Sequence, residues 1–383
     1  MAVVLAAGDG TRMLSQIPKV LHSLYGKPLI GHVLDAIRGA GVHRIVAVVG
    51  HRSELVRNHL GSRVEMVLQR RLRGTAHAVL QAHSRLRGFS GDIVILYGDT
   101  PLLTSQTVRG LIDAHHRERA VGTMLTAVLK ESTGYGRVVR DHTGQIIRIV
   151  EDADATPMEK GIEEINVGAY CFNARRLFQV LKHVRTAPNG EYYLTDAIAL
   201  LVKQGAKIAS ASTRSVGEFL GINTRADLAR VQTIMRTRIL EQFMLGGVTI
   251  VDPYTTYIWQ GTQIGQDTVV FPNTVIENDV VIGRGCHIGP FCRLGPGTRL
   301  EDHVKIASFV DASSGVVVGR GAMVATGTML RGPVAVKPHA TTTPGSVLVG
   351  APRSGTPVDR GSLRRVAQRR RQPWSGVSRH AYA

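Results

Sequence analysis

Short apolar runs and longer amphipathic segments alternate along the first 222 residues. The runs are rich in Val, Ile and Leu, as expected for strands buried on both faces, and the segments between them carry apolar residues at helical spacing. The clearest predicted strands cover residues 2–6, 44–49, 64–68 and 92–96, and the clearest predicted helices cover 28–40 and 75–86. This alternation predicts a Rossmann-like α/β domain over residues 1–222, with an open, mainly parallel sheet flanked by helices.

The hydrophobic period changes at residue 223, where the apolar positions begin to follow one helical stripe. That stripe consists of Leu228, Val231, Met235, Ile239 and Phe243. Thr224 followed by Asp227 resembles a capping box, and Gly246 with Gly247 supplies a stop signal. Residues 223–250 are therefore predicted to form one connecting helix.

A six-residue repeat follows and is the most regular pattern in the chain. Stepping by six from Ile258 to Leu348 gives sixteen positions, of which fourteen are Val, Ile or Leu, and a small or β-branched residue stands two positions before each. This pattern predicts a left-handed parallel β-helix over residues 251–350, with one hexapeptide per face and about five turns. Five glycines that follow an inward aliphatic residue are predicted to serve tight turns: Gly265, Gly283, Gly289, Gly295 and Gly319.

Composition narrows the class of protein further. The chain has 383 residues, 43% of them hydrophobic, which is enough for two packed domains, and only 5% aromatic, which is low for a protein that stacks nucleic-acid bases. No apolar run of membrane-spanning length occurs and no signal peptide is evident, so we expect a cytoplasmic protein without a membrane partner. The three cysteines lack the spacing of a disulfide framework or a zinc site.

Part of the net charge of +18 comes from the last segment of the chain, residues 350–383. Residues 350–383 contain eight arginines against one acid, Asp359, with scattered Pro and Gly and no apolar period. We predict a basic disordered tail over residues 351–383. It is either a solvated extension or a polyanion-binding segment, and with so few aromatics a nucleic-acid partner is not indicated.

Two motifs carry candidate chemistry. The first strand runs into the glycine-rich turn Ala7-Gly8-Asp9-Gly10-Thr11-Arg12, which is neither a Walker A loop nor a GxGxxG motif, and Lys19 follows. A glycine turn with two cations suits phosphate oxygens, although a purely structural turn is the alternative. Asp99 ends the strand at 92–96 in Tyr97-Gly98-Asp99, where a carboxylate suits Mg²⁺ or caps a turn.

Further motifs give the chain a family resemblance. In order they are Leu5-Ala6-Ala7-Gly8-x-Gly10-Thr11-Arg12-Met13, Pro18-Lys19-Val20-Leu21-His22, Gln69, Gly74-Thr75-Ala76-His77, Tyr97-Gly98-Asp99, Thr133-Gly134-Tyr135-Gly136-Arg137, Glu163-Glu164-Ile165-Asn166 and Gly190-Glu191-Tyr192-Tyr193-x-Thr195-Asp196. Together they resemble the bacterial bifunctional N-acetylglucosamine-1-phosphate uridylyltransferase / glucosamine-1-phosphate acetyltransferase family. The resemblance covers the first 250 residues closely.

The resemblance implies a direct transfer without a covalent enzyme intermediate. UTP and Mg²⁺ would bind, and the phosphate of N-acetylglucosamine 1-phosphate would attack the α-phosphorus and release pyrophosphate. By motif, the implied catalytic cations are Arg12 and Lys19, and Mg²⁺ would be held by Asp99 and Asn223. The implied nucleotide-binding residues are Leu5, Ala6, Ala7, Gly8, Gln69, Gly74, Thr75, Tyr97 and Gly98. The implied sugar-binding residues are Gly136, Glu151, Asn166 and Asn223.

The chain departs from the family pattern in both halves. Asp9 stands where relatives often have Lys, which places an acid near the phosphates and predicts weaker nucleotide binding. Val167 stands where Thr is common, so one hydroxyl near the sugar is absent and the choice of sugar stays open. In the β-helix, Gly295 replaces a substrate-binding Arg, the segment 309–314 lacks the expected lysines, and His287, His303 and His339 do not stand in the motif of the catalytic His. We therefore predict that acetyltransferase activity is lost and that the β-helix mainly assembles a homotrimer, as in relatives.

Two alternatives to N-acetylglucosamine 1-phosphate uridylyl transfer remain. One is uridylyl or thymidylyl transfer to another hexose 1-phosphate. The other is a non-catalytic scaffold that binds a nucleotide sugar, although the joint presence of Arg12, Lys19, Asp99 and Asn223 favours an enzyme.

Overall fold

The computed structural model describes residues 1–50, 52–130, 134–213 and 217–350. The tail predicted over 351–383 lies outside the described residues. In the first 222 residues the strands are β1 Ala2–Ala6, β2 Ser23–Leu24, β3 Lys27–Pro28, β4 Ile45–Val49, β5 Glu65–Leu68, β6 Asp92–Tyr97, β7 Gly122–Val128, β8 Arg137–Arg140, β9 Ile146–Val150, β10 Glu164–Asn173 and β11 Ile208–Ser212. The helices are α1 Leu29–Gly39, α2 Ser53–Leu60, α3 Thr75–Ala82, α4 Ser105–Arg117, α5 Pro157–Lys160, α6 Ala174–Leu181 and α7 Asp196–Lys203.

The main sheet has the strand order β11-β7-β10-β6-β1-β4-β5, and β8 and β9 extend it beside β10. β1 pairs in parallel with β4 and β6, and β11 pairs in parallel with β7. Its buried side chains alternate between two apolar clusters, with Val3 and Leu5 on one face and Ala2 and Val4 on the other. The α/β architecture predicted from the sequence is confirmed.

The sheet contains more antiparallel pairs of strands than the mainly parallel sheet predicted from the sequence. β10 runs antiparallel to both β6 and β7, and the β8–β9 hairpin is antiparallel as well. β10 is buried along most of its ten residues, so its apolar pattern resembles that of a parallel strand. Direction is therefore set by the connections and not by the composition of the strand.

The long helix α8, Arg225–Leu245, follows the α/β part and is capped as its sequence indicates. Thr224 Oγ1 accepts from the Asp227 N–H at 3.1 Å, and Asp227 Oδ2 accepts from the Thr224 N–H at 2.8 Å. The helix starts two residues after 223 because Thr224 is its N-cap. Four of the five stripe residues are buried, whereas Phe243 is only partly buried.

Beyond α8 the chain forms three parallel sheets built from short strands. They are β12 Thr249–Ile250, β13 Tyr257–Ile258, β14 Gln263–Ile264, β15 Val269–Val270, β16 Val275–Ile276, β17 Val281–Ile282, β18 His287–Ile288, β19 Arg293–Leu294, β20 Arg299–Leu300, β21 Lys305–Ile306, β22 Asp311–Ala312, β23 Val317–Val318, β24 Met323–Val324, β25 Met329–Arg331, β26 Ala335–Val336 and β27 Val347–Val349. Up to β26 each strand pairs with the strand three places later, as in β12-β15-β18 and β13-β16-β19, and the last strand, β27, pairs with β25. This is the predicted left-handed β-helix with three faces per turn.

The six-residue period is reproduced in the burial of the side chains. The inward positions from Ile258 to Val336 are buried, and Thr342 and Leu348 at the last turn are only partly buried. The coil also starts one strand earlier than the period, because β12 already pairs with β15. The inward column and the small residues two positions earlier together form one apolar core.

The glycines of the β-helix act differently from the prediction at four of the five positions. Of the five glycines that follow an inward aliphatic residue, only Gly289 has a left-handed φ, 97°. At Gly319 an added Cβ would lie 2.5 Å from the backbone N of Pro338, and at Gly283 it would lie 2.6 Å from the backbone N of Asp302. These glycines permit close contact between successive coils of the β-helix. Glycine is therefore needed at these positions because a side chain would clash with the next coil, and not because the backbone is left-handed there.

The two halves of the chain share apolar contacts around α8. The β2–β3 hairpin touches the first coil, where an added Cβ on Gly26 would lie 2.8 Å from the Trp259 ring and the rings of Tyr25 and Tyr257 are 6.5 Å apart. Met13 and Leu102 belong to the same buried cluster as the inward column of the coil. Within the described residues, no helix is both long and apolar enough to cross a membrane.

The contact at Gly319 gives a test of the coil packing. Gly319→Ala should lower the free energy of unfolding by about 1–3 kcal/mol, because the new methyl group meets backbone atoms and not a flexible side chain. Gly110→Ala on α4 is the control, since an added Cβ there meets nothing within 4 Å, and it should leave stability unchanged or raise it. Denaturant unfolding checks both, and equal stability of Gly319→Ala and wild type would refute the packing explanation.

Candidate functional site

The candidate site lies at the carboxyl edge of the sheet, where β1 and β6 end side by side. The Gly98 N–H donates to Leu5 O at 2.9 Å, which joins the two strand ends. An added Cβ on Gly98 would lie 3.2 Å from Val20 Cγ1. One at Gly50, at the end of β4, would lie 2.1 Å from Ala7 O. Gly98 and Gly50 therefore both lie close to the backbone of the glycine turn. The sequence motifs included Gly98 but not Gly50.

The turn brings Lys19 back to the edge of the sheet. Gly10 has a φ of 61° and an added Cβ would lie 2.7 Å from Lys19 Cβ, so a larger residue is excluded on two counts. The turn then continues into a short 3-10 helix, Thr11–Met13, and a second one, Lys19–Leu21. Gly10 thus allows the Lys19 side chain to reach the end of β6.

The ammonium group of Lys19 joins two oxygen-bearing side chains from distant parts of the chain. Its Nζ forms a partly buried ion pair with Asp99 Oδ2 and donates to Asn223 Oδ1 at 3.1 Å. The side chains of Lys19 and Asp99 are only 13% and 18% exposed. The structure therefore brings together three of the residues singled out in the sequence.

Asn223 reaches the site because the start of α8 is fixed to the sheet. The Ile222 N–H donates to Asp99 O at 3.0 Å, and the Asn223 N–H donates to Asp227 Oδ2 at 3.1 Å. The guanidinium Nε of Arg225 also donates to Met13 O at 3.2 Å. The helix cap, the glycine turn and the end of β6 are thus joined by hydrogen bonds.

Arg12 differs from Lys19 in its surroundings. It lies in the first 3-10 turn and its side chain is exposed. In the part of the chain that the structure describes, no ion pair involves Arg12. An exposed cation beside a glycine turn can approach a ligand without first breaking a protein contact.

A second group of residues surrounds the start of α3. The buried Gln69 donates from Nε2 to Gly74 O at 3.2 Å and lies 2.9 Å from His77 Nδ1. Thr75 Oγ1 accepts from the Leu194 N–H at 2.9 Å. The amide nitrogen of Gln69 is therefore engaged, and its amide oxygen is left to accept a hydrogen bond. His77, which received no role from the sequence, helps to orient this amide.

A third group surrounds the β8–β9 hairpin and β10. The Asn166 N–H donates to Gly136 O at 2.8 Å, and Asn166 Nδ2 donates to the Tyr170 hydroxyl at 2.7 Å. Glu151 Oε1 accepts from Thr195 Oγ1 at 2.7 Å, and an added Cβ on Gly136 would lie 3.4 Å from Glu151 Oε2. Gly136, Glu151 and Asn166 are thus neighbours. Tyr170 lies in no motif, and Thr195 lies in a motif but received no role from the sequence.

Burial perturbs the ionisation of this third group. Burial raises the pKa of Glu151, the neighbouring acids Asp196 and Asp154 raise it further, and the Thr195 hydrogen bond opposes the shift. Burial, assisted by the Glu151 charge, also raises the pKa values of Tyr97 and Tyr170. Both phenols therefore stay neutral at physiological pH, and Glu151 is easier to protonate than an ordinary glutamate.

Two departures noted in the sequence have clear structural positions. Val167 is 5% exposed and belongs to an apolar core cluster, so its side chain is buried in the protein interior. A hydroxyl at this position would lie in that core, which weakens the expectation that Val167 affects sugar binding. Asp9 is exposed in the glycine turn. The histidines His287, His303 and His339 of the β-helix are all exposed.

Asp99 and Asn223 are chemically suited to a hard divalent cation. A carboxylate and an amide oxygen are both ligands that Mg²⁺ accepts, and here they converge on a single positive group, the Lys19 ammonium. Among the described residues, no cluster of three or more His, Cys, Asp or Glu side chains could hold a metal by itself. That composition fits Mg²⁺, which is usually held by one or two protein oxygens together with waters and substrate phosphates.

With this geometry in place, comparisons with known proteins define the class of the α/β part. Residues 2–191 match the model of the MobA-like NTP transferase domain family, and residues 261–296 match the bacterial transferase hexapeptide family. Residues 2–191 therefore form a Rossmann-like nucleotidyltransferase domain that is similar to MobA-like NTP transferase domains. A solved structure, UDP-glucose pyrophosphorylase complexed with UDP-glucose, has a TM-score of 0.50 at 19% identity and covers 62% of this chain and 98% of its own, which supports the fold alone.

More specific similarity is found to curated full-length proteins. The chain is 48% identical over 265 residues to the bifunctional protein GlmU of Halalkalibacterium halodurans and 44% identical over 265 residues to that of Enterococcus faecalis. Each match covers 69% of this chain and 58% of the relative. The chain thus spans little more than half the length of these GlmU relatives, and the resemblance described from the sequence motifs is confirmed.

The raised pKa of Glu151 leads to a test by stability. Between its ordinary pKa of 4.5 and the raised value, the folded chain keeps a proton that the unfolded chain has released, so this group makes stability fall as pH rises through that window. Glu151→Gln should therefore melt at a higher temperature than wild type at pH 8, and the two melting temperatures should converge near about pH 4.

The matched control is Glu164→Gln. Glu164 accepts hydrogen bonds from Arg140 Nε and Nη2, both at 2.7 Å, so loss of its charge should not raise the melting temperature. Thermal melts across this pH range measure both variants. A Glu151→Gln protein that is less stable than wild type at pH 8 would contradict the assignment of a destabilising buried carboxylate.

Proposed function

We propose that the chain transfers a uridylyl group from UTP to N-acetylglucosamine 1-phosphate, giving UDP-N-acetylglucosamine and pyrophosphate. The observation that carries the proposal is the convergence of Lys19, Asp99 and Asn223 at the carboxyl edge of the sheet. The identity to GlmU proteins across the α/β part supports the choice of nucleotide and sugar. The substrates are therefore UTP and a sugar 1-phosphate, with Mg²⁺ as cofactor.

Asp99 and Asn223 would hold Mg²⁺ in this proposal. When bound, the metal supplies positive charge to the nonbridging phosphate oxygens and orients them for in-line displacement. Lys19 already contacts both oxygen ligands, so it lies close enough to neutralise charge on the same phosphates. Arg12 and the backbone of Leu5, Ala6, Ala7 and Gly8 would hold the remaining phosphate oxygens.

The second group of residues accounts for the base. The Gln69 amide nitrogen is engaged by Gly74 and His77, so its oxygen can accept the N3–H of uracil. A cytosine ring presents an acceptor at the same position and would leave two acceptors facing each other. Gly74 and Thr75, together with Tyr97 and Gly98 at the end of β6, would complete the nucleotide site.

The third group accounts for the sugar. Glu151 can accept a hydrogen bond from a sugar hydroxyl with Oε2, since its Oε1 already accepts from Thr195. Asn166 is oriented by the Tyr170 hydroxyl, and its backbone N–H donates to Gly136 O, which places it near the Glu151 carboxylate beside Gly136. These groups would bind the sugar of N-acetylglucosamine 1-phosphate, whereas Asn223 would lie between the sugar phosphate and the metal.

Assembly and location are proposed on the same basis. Hexapeptide β-helices commonly associate through their flat faces, so we propose a homotrimer formed through the coil and a cytoplasmic location. Loss of acetyltransferase activity stays a prediction from the residues at 287, 295, 303 and 309–314. Residues 1–222, 223–250 and 251–350 would be the catalytic, connecting and assembly units.

The test is release of pyrophosphate by the purified chain supplied with UTP, MgCl₂ and N-acetylglucosamine 1-phosphate. Release should stop with EDTA, and Asp99→Ala should lower kcat by about 100-fold or more while the melting profile stays cooperative. Asp35→Ala is the control, because it also removes a carboxylate that pairs with a lysine, here the exposed pair between Lys27 of β3 and Asp35 of α1, and it should leave the rate unchanged.

The same assay separates the alternatives. Faster turnover with another hexose 1-phosphate or with dTTP would replace the proposed substrate while keeping the reaction. No release with any sugar phosphate or nucleotide would refute the enzyme and favour a scaffold that binds nucleotide sugars.

A further inference from the structure

A cavity of about 670 Å³ lies at the amino edge of the sheet, on the other side of the domain from Asp99. Its lining includes Asp92 at the start of β6 and Asn173 at the end of β10, which are register partners across the two strands. About 17 Å of extended strand separates Asp92 from Tyr97 at the carboxyl edge. The cavity is open to solvent and is separate from the candidate active site.

Three arginines line this cavity. Arg119 follows the last turn of α4, and Arg175 and Arg176 lie in the first turn of α6. Within the four described ranges, none of the three pairs with a carboxylate, and Arg176 has only a 3.4 Å contact with Gln204 Oε1. Its Nε is also buried without a hydrogen-bond partner among those residues.

The one carboxylate in the lining is already engaged by histidines. Asp92 Oδ2 is 3.1 Å from His116 Nε2, and Asp92 Oδ1 is 3.5 Å from His115 Nε2. Burial lowers the pKa of His115, and its Nδ1 lies 2.9 Å from Thr123 Oγ1. The single negative charge of Asp92 balances only one of the three guanidinium groups, so the lining keeps a net positive charge.

Several arginines elsewhere in the domain are paired with a carboxylate, in contrast to these three. Arg44, Arg140 and Arg148 each contact a glutamate across neighbouring elements. Three guanidinium groups around one cavity repel each other unless an anion lies between them. The N–H groups at the start of α6 add partial positive charge to the same space.

We propose that this cavity binds a small molecule carrying two or more phosphoryl groups. Guanidinium forks match phosphate oxygens in geometry and charge, and the cavity is larger than a single phosphate ion needs. A nucleotide and an inorganic polyphosphate share this chemistry, so both belong in the test. The proposal is independent of the reaction at the carboxyl edge.

The experiment is calorimetric titration of the full chain with inorganic tripolyphosphate and, separately, with ATP, in EDTA so that no divalent metal is present. Wild type should bind at least one probe with a Kd below about 1 mM. The double variant Arg119→Ala/Arg175→Ala should weaken that binding by about ten-fold or more, since charge-assisted hydrogen bonds to phosphate are lost. Binding of ATP without tripolyphosphate would identify a nucleotide, and the reverse an inorganic polyphosphate.

The control double variant is Arg117→Ala/Arg185→Ala. It removes the same charge from exposed positions outside the cavity lining and should keep affinity within about two-fold of wild type. Lys19→Ala should also keep it, because Lys19 lies at the opposite edge. Equal affinity of wild type and the Arg119→Ala/Arg175→Ala protein would overturn the proposal. It would also be overturned if wild type bound a polyglutamate peptide but neither tripolyphosphate nor ATP. Loss of binding in Lys19→Ala would assign the anion to the other edge and overturn it too.

Discussion

The contact between the Lys19 ammonium, Asp99 and Asn223 is the constraint on which the candidate site depends. It joins the glycine turn after β1, the end of β6 and the residue before the cap of α8, which are separated by 80 and 204 positions in sequence. Because the ion pair is mostly buried, removal of one partner would leave the other charge poorly solvated. Gly10 and Gly98 are small where they are because larger side chains would push these segments apart.

The same contact links the site to the β-helix. α8 is fixed at its start by hydrogen bonds to β6 and to the glycine turn, and its apolar stripe is buried in the core shared with the first coils. Asn223 therefore occupies a position set from both sides, by the sheet and by the helix. A change in the seating of α8 on the coil would move an oxygen ligand of the proposed metal site.

The parts of the fold that the sequence predicts well are those with a strict local period. The inward column from Ile258 to Val336 and the Thr224–Asp227 cap were visible because spacing alone defines them. The antiparallel direction of β10 was not, since a strand buried on both faces has the same composition in either direction. The role of Gly319 also needed the structure, because its constraint is a residue in the next coil.

The candidate site shows the same division. Motifs identified Lys19, Asp99 and Asn223, and the structure adds what orients their neighbours. Thr195 and His77 lie within the motifs, but they received no role from the sequence. Only the structure shows that Thr195 donates to Glu151 and that His77 contacts Gln69. The arginines at the amino edge belong to no motif, and only the fold brings the end of α4 and the start of α6 to one cavity beside β6.

The most direct test of the proposed metal site is a crystal structure of the chain with UDP-N-acetylglucosamine and Mn²⁺, in which anomalous scattering locates the metal. We expect a single strong peak about 2.1–2.2 Å from oxygens of both Asp99 and Asn223, with a phosphate oxygen of the nucleotide sugar completing the contact. A bound nucleotide sugar with its metal away from both side chains, or bound elsewhere on the chain, would contradict the central role assigned to these residues.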